Sequence, residues 1–246
     1  MGDAMSAVTL RDLTLGYDGA PVIEGLSGRI EQGALLAVVG PNGAGKSSLM
    51  KAIMGQLSPR AGAVALGLPR REVAFLPQAA EIDASFPVDV YDFVAMGLWR
   101  RIGLWRGVDA AGRAAVAAAL ADVGLEGFEA RPIRALSGGQ RQRMLFARLA
   151  LQEARLILLD EPFAAVDERT VGDLLALIEG WRAQGRAVVA VLHDLALVRA
   201  RFPDTLLLAR RAIAWGPTDV VLTPRNLARA AGMVEAAHAP PRGARA

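Results

Sequence analysis

The sequence predicts an α/β layered core, with strand-rich sequence ahead of it and a helical block inserted into it. Three observations predict this. Short, wholly apolar runs of strand length recur at residues 34–39, 156–159 and 188–192. The first passes through a glycine-rich turn into residues 48–54, which read as helix. From Pro87 onward the spacing of apolar residues turns helical for three successive segments, with Gly, Pro and polar breaks between them.

A chain of 246 residues suits one or two domains with a real core. The absence of cysteine excludes a disulfide framework, thiol chemistry and a cysteine metal site. A net charge of +3, carried mostly by dispersed arginine, does not argue for a nucleic-acid partner. No apolar run approaches the ~18 residues that span a bilayer; residues 156–159 and 187–192 are strand-sized. Residues 1–13 have neither a basic start nor an apolar stretch, so no signal peptide is expected. The match of residues 1–6 to the myristoylation pattern is read as accidental.

In chain order, residues 8–10, 13–15 and 22–30 read as strands, with a turn at 16–19. Tyr17 sits at its tip, either as a ring able to stack on adenine or as an ordinary turn aromatic. Then comes Gly40, Pro41, Asn42, Gly43, Ala44, Gly45, Lys46, Ser47, followed by Ser48. It fits the G-x-x-x-x-G-K-[ST] phosphate-binding loop, with the strand before and helix after that the motif requires. The glycines let the backbone curl until several N–H groups face one centre, and the helix dipole adds positive charge there. Lys46 has the reach for β- and γ-phosphates, and the Ser47 hydroxyl for Mg²⁺. Only Lys46 and Lys51 are lysines in a chain rich in arginine, so a lysine here is not background usage.

Residues 62–66 and 73–76 read as short strands, the second leading into Pro77 and Gln78, at a strand end where ligands of open α/β sheets bind. Residues 88–98, 110–123 and 139–152 carry the helical spacing. Within this block residues 99–106 set Trp99 and Trp105 among arginines, as a partner-facing patch, a membrane-surface stretch or a packed loop. Ser137 is an N-cap for the third helix, and Gly138, Gly139 and Gln140 open it, making a second anion-binding helix start. One phosphate chain rarely needs two such starts from one subunit, so a second copy of the chain is expected to share the ligand. The strand 156–159 ends in Asp160 and Glu161, the first suited to hold Mg²⁺ through water and the second to orient or deprotonate a water. The strand 188–192 ends in His193, either a donor to a γ-phosphate or a structural histidine. Residues 205–209 and 212–215 read as closing strands and 224–231 as a short helix. The tail 236–246 is expected to be disordered, with His238 incidental.

Taken together, these residues resemble the nucleotide-binding subunit of ABC transporters, over residues 7 to about 232. Residues 40–47 match Walker A and 156–161 match Walker B. Residues 136–140, Leu-Ser-Gly-Gly-Gln, match the signature that distinguishes this family from other P-loop NTPases. Gln78 falls at the Q-loop, Asp167 at the D-loop aspartate, His193 at the switch histidine and Tyr17 at the A-loop aromatic. The D-loop lacks the Ser or Thr common near Ala164. The resemblance implies a P-loop NTPase (RecA-like) core, residues 1–86 and 148–235 of a single domain 1–246. It adds an N-terminal antiparallel β subdomain and an α-helical signature subdomain at 87–147. It implies ATP and Mg²⁺, and a head-to-tail dimer in which each ATP lies between Walker A of one copy and the signature of the other. Lys46 and the loop N–H groups would hold the phosphates, Ser47, Asp160 and Gln78 the Mg²⁺ site, Glu161 would be the general base, and His193 would support the γ-phosphate. Ser137 and Gly139 would close the site from the second copy.

Residues 85–97, the stretch 99–105 and residues 161–167 are similar to the ATPases of zinc, manganese and iron importers, with zinc favoured. ATPases of siderophore, haem and cobalamin importers look alike here. The resemblance implies a peripheral subunit at the cytoplasmic face of the inner membrane. Its partners would be integral membrane permeases, docked on the segment from Gln78 through the helical block, and indirectly an extracytoplasmic solute-binding protein. An exporter ATPase, a soluble cassette protein acting on DNA or ribosomes, and a P-loop kinase are the competing classes. The single cassette, the lack of a heptad run and the signature stretch argue against the last two.

Overall fold

The computed structural model describes residues 6–17, 19–77, 87–103, 107–164 and 166–238, the side chains of 234–238 excepted. The chain divides into two compact units, Met1–Leu68 with Val189–Ala246, and Pro69–Val188.

In the first unit, strands β1 (Ser6–Leu15), β2 (Ile23–Glu31) and β4 (Ala61–Leu66) form an antiparallel sheet in the order β2-β1-β4. Thr9 faces Arg29 on one side and Ala65 on the other. The sequence suggested two short strands where β1 is one. The interruption is a bulge: Asp12 takes a φ of 44° and the register shifts between Leu10 and Leu13. Ser27 holds that bulge, accepting from the Asp12 N–H at 2.8 Å and donating to the Asp12 carboxylate at 2.9 Å.

The same unit holds β3 (Leu35–Val39), every residue of it buried, followed by α1 (Lys46–Met54). β3 runs parallel to β8 (Asp204–Ala209), pairing Val38 with Leu206, and β8 runs antiparallel to β9 (Arg211–Pro217). A strand buried on both faces reads as an unbroken apolar run, which is why β3 was visible in the sequence. The Trp215 ring of β9 lies over the backbone of Gly28 in β2 and fastens the antiparallel sheet to the core strands. Helices α7 (Leu195–Arg201), α8 (Thr218–Val221) and α9 (Pro224–His238) complete the unit. α9 continues past Ala231, where the sequence reading ended it, so residues 236–238 of the expected disordered tail are helical.

In the second unit, β5 (Val73–Leu76) runs parallel to β6 (Leu156–Asp160), pairing Ala74 with Ile157. The unit's helices are α2 (Val90–Ala95), α3 (Trp99–Ile102), α4 (Ala110–Asp122), α5 (Gly138–Ala150) and α6 (Glu168–Ala183). The first helical segment starts later than expected because Asp89 caps α2, accepting from the Asp92 N–H at 2.8 Å. A 3₁₀ turn, Met96–Leu98, then leads into α3, so Trp99 lies on a helix rather than in a loop. Residues 104–106, with Trp105, lie outside the described residues. α5 packs on α6 through Phe146 and Trp181, stacked with centroids 5.7 Å apart, a contact worth ~1 kcal/mol beyond its area. β7 (Ala187–Val191) runs from this unit into the first: Ala187 N–H bonds the Arg155 carbonyl at its start, and Leu192 N–H bonds the Val38 carbonyl just past its end.

Candidate functional site

The glycine-rich loop lies in the first unit between β3 and α1. Gly40, with a φ of 155°, leaves the strand where a Cβ would run into the Leu208 carbonyl. Gly45, with a φ of 96°, is the N-cap of α1 and offers no side chain to its first N–H groups. That leaves the helix start available to an anion. The Ala44 N–H bonds the Pro41 carbonyl at 3.2 Å, and the Arg210 N–H holds the Ala44 carbonyl at 3.2 Å. Asn42 and Gly43 are exposed, Ala44 and Ser48 are buried, and Ser47 is half-buried. Lys46 is only 6 % exposed, and its ammonium donates to the carbonyls of Gly40 at 2.8 Å and Pro41 at 3.1 Å. The cation is therefore folded along the loop it serves.

His193 follows β7 and is exposed, ahead of Asp194, which caps α7 by accepting from the Ala196 and Leu197 N–H groups. His193 and the loop residues Gly40 and Pro41 line one cavity of about 230 Å³, so the structure brings these sequence candidates together. Tyr17 lies on the turn after β1 and is 53 % exposed, as a stacking surface requires.

In the second unit, β6 delivers Asp160 at its end, 5 % exposed. Glu161 follows in the left-handed region, with a φ of 51°. A non-glycine residue held there just before a proline is strained, and such strain persists only where surroundings impose it. Here the Ala164 N–H donates to the Glu161 carbonyl at 3.2 Å, and Gln142 of α5 donates to the Pro162 carbonyl at 2.7 Å.

Ser137 caps α5 as the sequence implied, accepting from the Gln140 N–H at 3.2 Å. Gln140 reciprocates, its side-chain oxygen accepting from the Ser137 N–H at 3.0 Å. This capping box was legible as Ser-x-x-Gln but was not drawn from it. Gly138 is exposed and Gly139 half-buried; a Cβ on Gly139 would stand 3.8 Å from the Asp167 carboxylate. Asp167 caps α6, a helix the sequence reading did not assign, accepting from the Thr170 N–H at 2.9 Å and hydroxyl at 2.8 Å. Those two bonds hold its carboxyl below the usual carboxylate range against an opposing desolvation, and the Arg143 charge adds the least of the contributions. Arg143 itself donates to Thr170 at 2.9 Å, Asp173 at 2.8 Å and the Val123 carbonyl at 2.9 Å. Gln142, Arg143 and Thr170 were not among the sequence candidates. Gln78 lies outside the described residues. Among the described residues no cluster of three or more His, Asp or Glu could hold a metal ion, and no helix is long and apolar enough to cross a membrane.

A buried strand, a glycine loop threaded by its own lysine and an uncapped helix start define a phosphate-loop α/β protein. Similarity to known proteins narrows this class. Residues 23–164 match the ABC transporter family. The manganese transport system ATP-binding protein MntB of Bacillus subtilis is 37% identical over 233 residues, 93% of each chain. The zinc transport system ATP-binding protein TroB of Treponema pallidum is 40% identical over 231 residues, 92% of this chain and 87% of its own. Among solved structures, a chain of an inward-facing ABC transporter described as metal-chelate type superposes with a TM-score of 0.82 at 30% identity, covering 92% of this chain and 89% of that one. The chain belongs to the ABC transporter family, and it is an ATPase of that family's ATP-binding type.

Proposed function

We propose that this chain is the energy-coupling subunit of an importer for a transition-metal ion, manganese or zinc. The observation that carries the reading is the phosphate loop, with Lys46 folded along it and an α1 start left uncapped at Gly45. Support for the cargo comes from the relatives' names, which include manganese as well as zinc, so the narrower expectation of zinc gains nothing over manganese. A chelated metal is the second reading, favoured by the metal-chelate type structure.

In this reading Lys46, the N–H groups of residues 40–47 and Ser48 hold the phosphates of ATP, and Tyr17 stacks on the adenine. Ser47 and Asp160, with Gln78, hold Mg²⁺; hydroxyl and carboxylate oxygens are the hard donors that ion takes. Bound there, Mg²⁺ neutralises charge on the phosphates. Glu161 takes the proton of the attacking water, and His193 supports the γ-phosphate. Ser137, Gly138, Gly139 and Gln140 present the α5 start to the ATP of a second copy, in a head-to-tail dimer at the cytoplasmic face of the membrane. The division into a core of 1–86 and 148–235 with a helical subdomain at 87–147 belongs to the same reading.

A groove of about 300 Å³ in the second unit suits the permease. It is lined by Phe75, Leu76, Phe93 and Leu145, with the Arg148 guanidinium over the Phe93 ring at 4.8 Å. Burial lowers the Arg148 pKa, and its Nε is buried with no hydrogen-bond partner among the described residues. An acceptor from the permease would satisfy it. An extracytoplasmic solute-binding protein would deliver the cargo.

The test is elemental analysis of cells carrying this chain or Lys46→Ala, grown with metals scarce. A selective fall in manganese or zinc is the expected result. A fall only when the metal is supplied as a chelate moves the reading to the second cargo class. No change in any metal overturns the metal cargo and leaves the ATPase.

A further inference from the structure

We propose that Gln142 is a positioning residue for ATP hydrolysis: from the signature helix it fixes the turn that carries Glu161. The inference rests on the reading of Glu161 as general base.

Gln142 is a polar residue in the middle of α5, and it is 2 % exposed. A buried amide in a helix flank costs stability unless it is bonded, so its position asks for a reason. Its Nε2 donates to the carbonyl of Pro162 at 2.7 Å, across twenty residues of sequence. That carbonyl belongs to the residue after Glu161, whose φ of 51° is sparsely populated and is made less favourable by the following proline. β6 fixes the turn on one side, since all of Leu156–Asp160 is buried. The Ala164 N–H closes the turn on the Glu161 carbonyl. Gln142 supplies the hold on the Pro162 carbonyl from another element.

The consequence is mechanical. α5 begins at Ser137, where the reading above sets the second copy's ATP, and Gln142 lies less than two turns along the same helix. A shift of α5 on engaging that nucleotide is transmitted to Pro162 through one hydrogen bond and reorients the Glu161 carboxylate. A displacement of ~1 Å at a reacting group is worth about a hundredfold in rate. Buried and bonded to the Pro162 carbonyl, Gln142 acts through the turn: it sets where Glu161 points.

The experiment measures nucleotide affinity and the rate of hydrolysis for the full chain assembled with its permease in membrane vesicles. Gln142→Met keeps the volume and removes the donor. Its kcat should fall about tenfold to a hundredfold, with ATP affinity unchanged within about twofold. Gln142→Glu supplies a second readout, and decides the matter if the Met variant does not fold. Ionised, its carboxylate repels the Pro162 carbonyl; protonated, it donates again, so activity relative to the wild type should climb as pH falls. Wild-type kcat in Gln142→Met overturns the proposal, as does a flat relative pH profile in Gln142→Glu. Glu161→Gln, run alongside, separates the two ideas. If it hydrolyses normally, the general-base reading fails; if it is inactive while Gln142→Met is not, only the positioning role fails.

Discussion

The Lys46 ammonium stands 2.8 Å from the carbonyl of Gly40, six residues before it, and closes the glycine loop on itself. The lysine thus draws the loop together, and in the proposed function it also meets phosphate. Lys46→Ala removes a charge-assisted bond, worth ~2–3 kcal/mol, so ATP affinity should fall by about thirtyfold to 150-fold in equilibrium titration. Lys46→Arg should restore little of it. A planar guanidinium cannot replace the compact ammonium of a lysine only 6 % exposed, bonded to two carbonyls of the same loop. Unchanged affinity in the Ala variant would remove the loop from nucleotide binding.

Gly40 tests the loop's backbone rather than its charge. At a φ of 155° with the Leu208 carbonyl in the way of any Cβ, Gly40→Ala must displace either β8 or the loop. The obstruction is main chain of a buried strand and yields less readily than a flexible side chain. A loss of ~2 kcal/mol or more in thermal unfolding is expected, together with weakened ATP binding. An Ala44→Gly control has no such obstruction to relieve, and its binding should stay within about threefold of the wild type.

These two residues were legible because their signals are local. A lysine in a nearly lysine-free chain and glycines at motif spacing need no tertiary context, and β3, β6 and β7 announce themselves by burial on both faces. What stayed hidden depends on partners distant in sequence. Gln142 reads as one more polar residue on a helix until its bond to Pro162 is seen, and the φ of Glu161 has no sequence signature at all. α6 was missed although Asp167 and Thr170 form a capping pair ahead of its apolar positions. The β1 bulge at Asp12 read as a gap between two strands because a bulge slips the alternation by one residue.

Glu161→Gln should separate binding from chemistry. The amide keeps the size of the side chain, so the turn held by Gln142 and Ala164 is retained and ATP affinity should remain within about twofold. Loss of a general base removes about a hundredfold or more from turnover. Single-turnover hydrolysis in the presence of Mg²⁺ is the measurement. Near-wild-type turnover would take the role of base away from Glu161.

Asp167 gives the fold a predictable acid response. Its hydrogen bonds from Thr170, aided by Arg143, stabilise the charged form, so the folded pKa lies below the unfolded value near ~3.9. A carboxylate shifted in this direction contributes stability that is fully present above the unfolded value and is lost as pH falls through the folded one. Asp167→Asn keeps an N-cap for α6 but removes the charge. The variant should therefore melt below the wild type at pH 7, and the gap between their Tm values should close as the pH is lowered past about 4. Arg143→Met should narrow the same gap at neutral pH, because it withdraws the positive charge and the bond to Thr170 together. A gap that is constant with pH would mean that Asp167 acts on α6 through shape alone.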